Sequence, residues 1–328
     1  MINLKTGGDW LDNLHFLQTD AWATFQRALG HDVIQKQGKG WSYLAIVEHG
    51  QLSRRLYCPY GPTAVNTQAL QLALDDLAVE AKVRRLDFVR VEPRRDLVES
   101  HLDNDLPKLG LRRAIHNVQP ADTVINFLVD DNDGGLSDEE ILAACSQTDR
   151  RIYRKLQGQN INYRLSSDPA DIEHFLPMIH GVAERTNMRP MPDEYFREIA
   201  KTLFPMDAAG IMIAEKDSQP IAAIIFYVNE QMMIYAHAAA SDEHRKQSPA
   251  TGLAMSLLME ANRRGCKIFD FHGIAPQGAP TDHRWVGFSH FKLSFGGEAT
   301  HFCGTWELPI SRLKYSIESR LIKLNKKK

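Results

Sequence analysis

A single lysine lies among phenylalanine and glycine residues in the segment FKLSFGG, near the C-terminal end of the sequence. The segment begins with Phe291 and Lys292 and ends with Phe295, Gly296 and Gly297. A cation in an apolar setting stabilises a nearby anion more strongly than one in water does, and glycines let another backbone approach closely. A lone lysine beside Phe291 and Phe295 is therefore unusually placed for a purely solvated charge, and it is a candidate for chemistry. The alternative is a lysine whose stem packs on apolar neighbours while its charge stays in water.

Basic residues are concentrated in one short segment and in the C-terminal tail, although the formal net charge of the chain is only −2. Four of them lie at spacings that put several on one face of a helix, namely Arg150, Arg151, Arg154 and Lys155. With so little net charge, any polyanion has to be bound by a local patch of this kind. A solvated surface is the alternative interpretation, and it is stronger for the tail.

Metal, redox and membrane functions find little support in the sequence. The four cysteines are far apart, so there is no CxxC motif, and the histidines have no common metal-site spacing. We interpret His272, His283 and His290 as loop or substrate-contact residues. No apolar run approaches the roughly 18 residues of a membrane span, and the N-terminus has no signal-peptide core. We expect a cytoplasmic protein with no metal, no organic cofactor and no stable membrane insertion.

The elements that position these residues follow the same order in both halves of the chain. A length of 328 residues suggests about two domains. Periodicity predicts two strands, a helix and a strand in the first half, at 41–47, 52–57, 67–83 and 86–91. It predicts three strands, a helix and a strand in the second half, at 211–215, 220–227, 232–238, 250–264 and 267–271. This order predicts two similar α/β lobes, with a boundary near Asp149, where the charge changes sign.

Six segments, in the same order, resemble the FemABX aminoacyltransferases, which extend the stem peptide of peptidoglycan precursors with aminoacyl-tRNA as donor. Five of them are FLQTDAWATFQRALG (16–30), YCPYGPTAV (57–65), VRVEP (89–93), VQPADTVINF (118–127) and DRRIYRKLQGQNINYRL (149–165). The sixth runs from DFHGI (270–274) through HRWVGFSHFKLSFGG (283–297) to GTWELPI (304–310).

The resemblance implies a fold of class α/β (α+β) with two GNAT-like lobes in tandem, whose mixed, mostly antiparallel sheets are flanked by helices. Domain 1 would comprise residues 1–148 and about 307–328, and domain 2 residues 149–306. A C-terminal helix, expected at 313–324, would return to the first lobe. The chain has no room for the coiled-coil arm that some family members carry.

The resemblance also implies catalytic roles. Lys292 matches the lysine thought to stabilise the oxyanion formed when an amine attacks the aminoacyl ester, and Phe291 would form its wall. Glu92 stands where the family has aspartate, and is a candidate base or amine-positioning group. A structural carboxylate at a strand end is the alternative for Glu92.

Substrate sites follow in the same way, and the acceptor site departs most from the family. The residues expected to bind the acceptor are Trp22, Arg27, Tyr60, Arg185, Tyr195 and Tyr235. Gln26, Tyr60 and Met191 stand where the family commonly has basic residues. The tRNA-binding residues would be Arg150, Arg151, Arg154 and Lys155. The partners implied are aminoacyl-tRNA and a UDP-linked or lipid-linked muropeptide, bound by a monomer that is at most peripheral at the inner face of the membrane.

Two other functions remain open from the sequence. The segment 244–271 resembles the CoA-binding loop and helix of acyl-CoA-dependent GNAT-type N-acyltransferases. In this chain, however, Pro249 removes one of the backbone amide donors of that loop. Counted from Gln247, Ala250 also occupies the position where that family has its first glycine. The second alternative is a tRNA- or precursor-binding module without activity, against which the intact FKLSFGG argues.

Overall fold

The computed structural model describes residues 15–50, 53–93, 102–130, 132, 134–311 and 313–316. These residues form two compact units. The first unit lies within residues 8–121 and 301–328, and the second comprises residues 122–300.

Helices and strands alternate along both units. The helices are α1 Asp20–Ala28, α2 Thr67–Val83, α3 Leu102–Asp105, α4 Asp138–Ala144, α5 Gln147–Gln157, α6 Phe175–Thr186, α7 Asp193–Leu203, α8 Pro249–Arg263 and α9 Val286–Leu293. The strands are β1 Val33–Gly38, β2 Trp41–His49, β3 Arg54–Cys58, β4 Thr63–Ala64, β5 Phe88–Val91, β6 Arg112–Arg113, β7 Asp122–Phe127, β8 Ile161–Ser166, β9 Ala209–Lys216, β10 Gln219–Val228, β11 Met232–Ala240, β12 Ile268–Asp270, β13 Glu298–His301 and β14 Trp306–Pro309.

The first unit is built on a mixed sheet with strand order β1-β2-β3-β5-β14-β6, and β4 pairs with β2. All neighbours are antiparallel except β3 and β5, which are parallel. A parallel pair needs a crossover connection, and α2 supplies it. The helix packs on the sheet through buried Leu70, Leu74 and Leu77. The helix predicted from this spacing is confirmed.

The second unit repeats this plan around a sheet with strand order β13-β7-β12-β11-β10-β9-β8. Strands β9, β10 and β11 form an antiparallel meander, after which α8 leads to β12, parallel to β11. Helix α8 is apolar nearly all round, since it packs against the sheet and against α5. The predicted α/β class, with two mixed sheets flanked by helices, is confirmed.

The boundary between the units differs from the predicted one. The second unit begins at Asp122 rather than near Asp149, because β7 belongs to its sheet and pairs with β12, Ile125 opposite Asp270. It ends at 300 rather than 306, because Cys303 already lies in the core of the first unit. Strand pairing, rather than the change of charge along the chain, sets these limits.

The predicted C-terminal helix is helical where the structure describes it, at 313–316. Its remainder and the tail lysines beyond it lie outside the described residues. Within the described turn, the Lys314 ammonium lies 3.0 Å from an oxygen of buried Asp87.

The close packing of residues 295–297, directly after α9, explains why two glycines follow each other there. Phe295 is fully buried and stacks on Phe271, with ring centroids 5.0 Å apart. Gly296 has φ +82°, and a Cβ there would lie 2.4 Å from the carbonyl oxygen of Ala144. A Cβ on Gly297 would lie 2.3 Å from Oδ1 of Asn126. Only glycine lets the chain after α9 pass this close to the end of α4.

We expect Gly296→Ala to lower the free energy of unfolding by clearly more than Gly278→Ala. Gly278 has a similar φ, +76°, but nothing lies within 4 Å of its added Cβ. Both substitutions strain the backbone by more than about 1 kcal/mol, so the difference isolates the clash with Ala144. Thermal unfolding of the two variants measures it, and equal midpoints would contradict the packing argument.

Candidate functional site

Lys292 projects from α9 toward the turn that follows β12. Its half-buried ammonium donates hydrogen bonds to the carbonyl oxygens of His272, at 3.0 Å, and Gly273, at 2.7 Å. The nitrogen also lies 6.0 Å from the centre of the Tyr235 ring. An ammonium carries three hydrogens, and within the described residues these two carbonyls are its only hydrogen-bond partners. One N–H therefore remains for an oxygen of a substrate.

The turn after β12 has an unusual backbone that aims these carbonyls. His272 adopts φ +60°, which is uncommon for a residue other than glycine. Its N–H donates to Oδ1 of Asp270 at 2.7 Å, a local bond of the type that aspartate forms in turns. The same Oδ1 accepts from the hydroxyl of Thr123 on the neighbouring β7. Side-chain and main-chain bonds together fix the position of Lys292.

Burial changes the charges at this turn. Desolvation lowers the pKa of Lys292 to about 8, although nearby Asp270 acts in the opposite direction. Desolvation also lowers the pKa of His272 to about 4, with Asp270 opposing and Lys292 adding to the effect. At neutral pH the site therefore presents an ammonium beside a neutral imidazole.

A continuous set of aromatic rings lies under the lysine. Phe291 contacts Phe295 edge to face at 5.1 Å, and Phe271 lies between Phe295 and Tyr235, at 5.0 and 5.6 Å. Phe291, predicted as the wall of the lysine site, is partly buried against the core of the second unit. These rings provide the apolar surroundings that lower the pKa of the ammonium.

A second polar cluster, which sequence reasoning missed, lies on β10 and β11 and on α7. Nε2 of His237 lies 3.3 Å from the Tyr227 hydroxyl, and the Tyr195 ring stands 6.2 Å from the His237 ring. Burial lowers the pKa of His237 to about 4, and the nearby His272 adds to this shift. The cluster thus brings Tyr195, a predicted acceptor residue, toward the Lys292 turn. A β-bulge between Tyr235 and His237 sets this register, and strand periodicity does not reveal it.

The predicted tRNA-binding arginines do not all have the same surroundings. Arg150 donates to the carbonyls of Ala143, at 2.7 Å, and Cys145, at 3.0 Å, at the C-terminal end of α4. Arg151 and Arg154 are exposed, and within the described residues neither has an ion-pair partner. Arg150 thus caps α4, and the other two are available to a ligand.

These three arginines line a cleft of about 790 Å³ between α4 and α5. Lys155 is exposed on the same helix but does not line the cleft. The cleft adjoins the end of α9, because the N–H of Ser146 donates to the carbonyl of Ser294 at 2.7 Å. The basic surface and Lys292 are therefore connected through one packed segment.

Arg185 and Tyr235, the other predicted acceptor residues of the second unit, differ in exposure. Arg185 is exposed at the end of α6 and pairs with Asp242. Tyr235 is buried under the Lys292 ammonium, and burial raises the pKa of its hydroxyl. Of the two, Tyr235 contributes directly to the lysine site.

Glu92, predicted as a candidate base, lies in the first unit and is almost fully buried. Its carboxylate accepts from the Tyr57 hydroxyl at 2.9 Å and the Tyr60 N–H at 3.2 Å. It also accepts from the Gln119 N–H at 2.9 Å and the Thr305 hydroxyl at 2.6 Å. Four donors give this carboxylate a clear structural role, and its catalytic role stays a prediction.

The remaining predicted acceptor residues also lie in the first unit. Trp22 is buried between Phe16 and Phe25, and Arg27 is exposed and donates to Gln35 at 2.9 Å. Tyr60 is buried, and its hydroxyl donates to the carbonyl of Pro120 at 2.8 Å. Among the three, Arg27 is the residue that a ligand can reach.

The helix that resembles a CoA-binding segment begins at Pro249, directly after Ser248 in a left-handed conformation. A Cβ on Gly252 would lie 1.9 Å from the hydroxyl oxygen of Tyr163, so this tyrosine packs against the first turn of α8. Backbone amides of such a turn bind a pyrophosphate, and proline supplies none. CoA binding stays an alternative for experiment.

The described residues contain no group of three or more His, Cys, Asp or Glu side chains that could hold a metal ion. Over the same residues, no helix is long and apolar enough to cross a membrane.

Comparison with solved structures shows what the chain resembles. FemX matches with a TM-score of 0.81 and 16% identity, over 93% of this chain and 94% of FemX. The C-terminal domain of an Agrobacterium fabrum protein named as a lysylphosphatidylglycerol synthetase matches with a TM-score of 0.60 and 13% identity, over 94% and 93% of the two chains. A conserved protein of unknown function from Bacteroides thetaiotaomicron matches with a TM-score of 0.56 and 13% identity, over 87% of each chain. These matches establish a shared fold.

Sequence comparison adds the family. No curated protein matches the chain in sequence, but the sequence pattern of the FemAB family matches residues 206–323. That range contains the turn after β12, Lys292 and the two glycines after α9. The family resemblance read from the sequence is therefore supported by the match over residues 206–323, and the match to FemX shows that the fold is shared.

Proposed function

We propose that the protein is an aminoacyltransferase that moves an amino acid from aminoacyl-tRNA to an amine of a peptidoglycan stem peptide. The observation that carries the proposal is the Lys292 ammonium, held by two carbonyls in apolar surroundings with one N–H left over. The match of residues 206–323 to the FemAB family supports the substrate class. The acceptor is a UDP-linked or lipid-linked muropeptide, and the reaction takes place in the cytoplasm.

In the proposed reaction a neutral amine attacks the carbonyl carbon of the ester that joins the amino acid to the tRNA ribose. A C–N bond forms, and the carbonyl oxygen becomes an oxyanion that accepts the third N–H of Lys292. When the C–O bond breaks, the ribose oxygen leaves and takes up a proton, while the attacking nitrogen loses one. The products are an amide and a tRNA with a free hydroxyl group.

The geometry favours the transition state because the donor is held in place before the reaction begins. A fixed donor at a developing oxyanion contributes about 10²–10³-fold to the rate. The His272 and Gly273 carbonyls restrict the rotation of the ammonium, and the aromatic rings beneath it lower the local dielectric. A freely rotating lysine in water would lose both advantages.

Aminoacyl-tRNA is the donor that the cleft between α4 and α5 fits. Binding to tRNA depends on contacts with phosphates, and Arg151 and Arg154 are exposed cations there without an ion-pair partner in the described part of the chain. The bond between Ser146 and Ser294 joins the cleft to the end of α9. A tRNA whose phosphates contact these arginines would lie beside the helix junction that is bonded to the end of α9.

The acceptor would bind through the cluster formed by Tyr195, Tyr227 and His237, with Tyr235 near the lysine. This cluster offers aromatic surface and a neutral imidazole that could orient an uncharged amine. Arg27, in the first unit, stays a predicted acceptor residue that rests on the family resemblance alone.

Transfer of labelled amino acids from a mixed pool of charged tRNAs tests the proposal. We expect the unaltered protein to label UDP-linked or lipid-linked muropeptide, and Lys292→Met to lower the rate about 10²-fold or more, because the oxyanion loses its donor. The matched control is Lys201→Met, since Lys201 lies exposed on α7, and it should not change the rate. Full activity of Lys292→Met would disprove the assignment. Absence of both transfer and tRNA binding, together with stabilisation by CoA, would favour the CoA-dependent alternative.

The pH dependence of transfer follows from the lowered pKa of Lys292. The protonated form of Lys292 is the active one. The ratio of the rate of the unaltered protein to that of Lys292→Met, in which the ionisation of the attacking amine cancels, should therefore fall as the pH rises through about 8, by about tenfold for each further pH unit. Initial rates from about pH 6 to about pH 10 measure this, with spontaneous ester hydrolysis subtracted. The residual rate of Lys292→Met should lack the alkaline fall. A midpoint near 10, the range of an ordinary lysine, would show that the ammonium is not in the apolar environment described.

Replacing Arg151 and Arg154 together by Gln should raise the KM for aminoacyl-tRNA and leave kcat nearly unchanged, because the arginines contact phosphates and not the reacting atoms. The dependence of log affinity on log salt should lose a slope of about 2, one for each contact. Arg263→Gln, an exposed arginine of α8, is the control. An unchanged salt dependence in the double variant would place the tRNA elsewhere.

A further inference from the structure

Asp270 is the most buried carboxylate among the described residues, with 1% of its surface exposed. Burying a charged group costs free energy unless hydrogen bonds and charges compensate for it. Oδ1 of Asp270 has two donors, the His272 N–H at 2.7 Å and the Thr123 hydroxyl. Both lie within the site, so the carboxylate is bonded to the turn whose carbonyls hold the lysine.

The bond from His272 to Asp270 offsets the cost of the backbone of the turn. A residue other than glycine at φ +60° is disfavoured by contacts of its Cβ. An aspartate oxygen that accepts the N–H two residues later stabilises such a turn. With this backbone, the carbonyls of His272 and Gly273 both lie within 3.0 Å of the Lys292 nitrogen.

Charge is the second way in which Asp270 acts on Lys292. The groups that face the ammonium are Asp270 and His272 from the turn, and Tyr235 from β11, with His237 behind His272. Burial holds both imidazoles neutral and raises the pKa of the Tyr235 hydroxyl. On α9 itself, His290 is exposed. Asp270 is therefore the anion that opposes the desolvation of the ammonium.

We propose that Asp270 is the positioning residue of the Lys292 site. It fixes the left-handed turn whose carbonyls hold the ammonium, and its negative charge stabilises the charged form of the lysine. The activity measurements below rest on the proposed aminoacyl transfer, whereas the labelling measurement does not.

Asp270→Asn separates the two contributions. The amide oxygen can still accept from His272 and Thr123, but the negative charge is gone, so the alkaline fall in the rate should begin at lower pH. If the midpoint of the alkaline fall is one pH unit lower in Asp270→Asn, this variant has about tenfold less activity than the unaltered protein at a pH above both midpoints. At about pH 6 the two proteins should differ little. Thr123→Val is the matched control, because it removes a hydrogen bond but keeps the charge, and it should retain the midpoint of the unaltered protein.

A merely structural role would lower the rate of both variants at every pH and leave the midpoint in place. An unchanged midpoint in Asp270→Asn, or an equal displacement in Thr123→Val, would overturn the proposal. Asp270→Ser provides the same test if Asp270→Asn does not fold, since a serine hydroxyl can also accept the N–H two residues later.

Chemical labelling tests the same inference without any substrate. An amine-selective reagent modifies only the neutral form of a lysine, so the extent of labelling of Lys292 against pH gives its titration midpoint. The peptide is identified by its loss of labelling in Lys292→Met. We expect a midpoint near 8 in the unaltered protein and a lower one in Asp270→Asn. If this shift occurs but no aminoacyl transfer is found, the proposed function fails and the inference stands. If the midpoints coincide, the inference fails whatever the activity.

Discussion

The site depends on the two hydrogen bonds that the Lys292 ammonium donates to the carbonyls of His272 and Gly273. Main-chain carbonyls are held in place by the fold, so they determine the direction of the third N–H more firmly than flexible side chains would. Their own positions follow from β12, which lies between β7 and β11 in the sheet. Lys292 thereby acts as part of the rigid second unit, although it is carried by a helix of only eight residues.

The glycine pair after α9 connects the rigid lysine site with the arginine-lined cleft between α4 and α5. Gly296 and Gly297 let the chain pass the carbonyl of Ala144 and the side chain of Asn126 at distances that no other residue permits. As a result, the junction of α4 and α5 lies directly against the end of α9. In the proposed reaction, phosphate binding at Arg151 and ester chemistry at Lys292 would thus share one rigid segment, which suits a donor that has to present its 3′ ester accurately.

Much of this arrangement could be predicted from the sequence, because it follows from local periodicity. The order of hairpin, helix and strand is visible in the apolar spacing of both halves. The capping role of Arg150 could not be predicted. Helical spacing shows which residues share a face of a helix, but it does not show which carbonyls of the preceding helix lie beside them. The contact between His237 and Tyr227 depends on a bulge in β11, and the boundary between the units at Asp122 depends on strand pairing across the sheet. Neither feature is visible in local periodicity.

The choice of carbonyls, rather than a carboxylate, as partners of Lys292 has a consequence for reactivity. A carboxylate in direct contact would compete with an oxyanion for the ammonium, and in the described part of the chain Lys292 forms no such ion pair. Asp270 instead acts from behind the turn, bonded to the N–H of His272. There its charge still counteracts the desolvation of the lysine, yet the side of the ammonium with the unused N–H stays open. A cation held in this way keeps its remaining N–H for an anionic oxygen, as the proposed reaction requires.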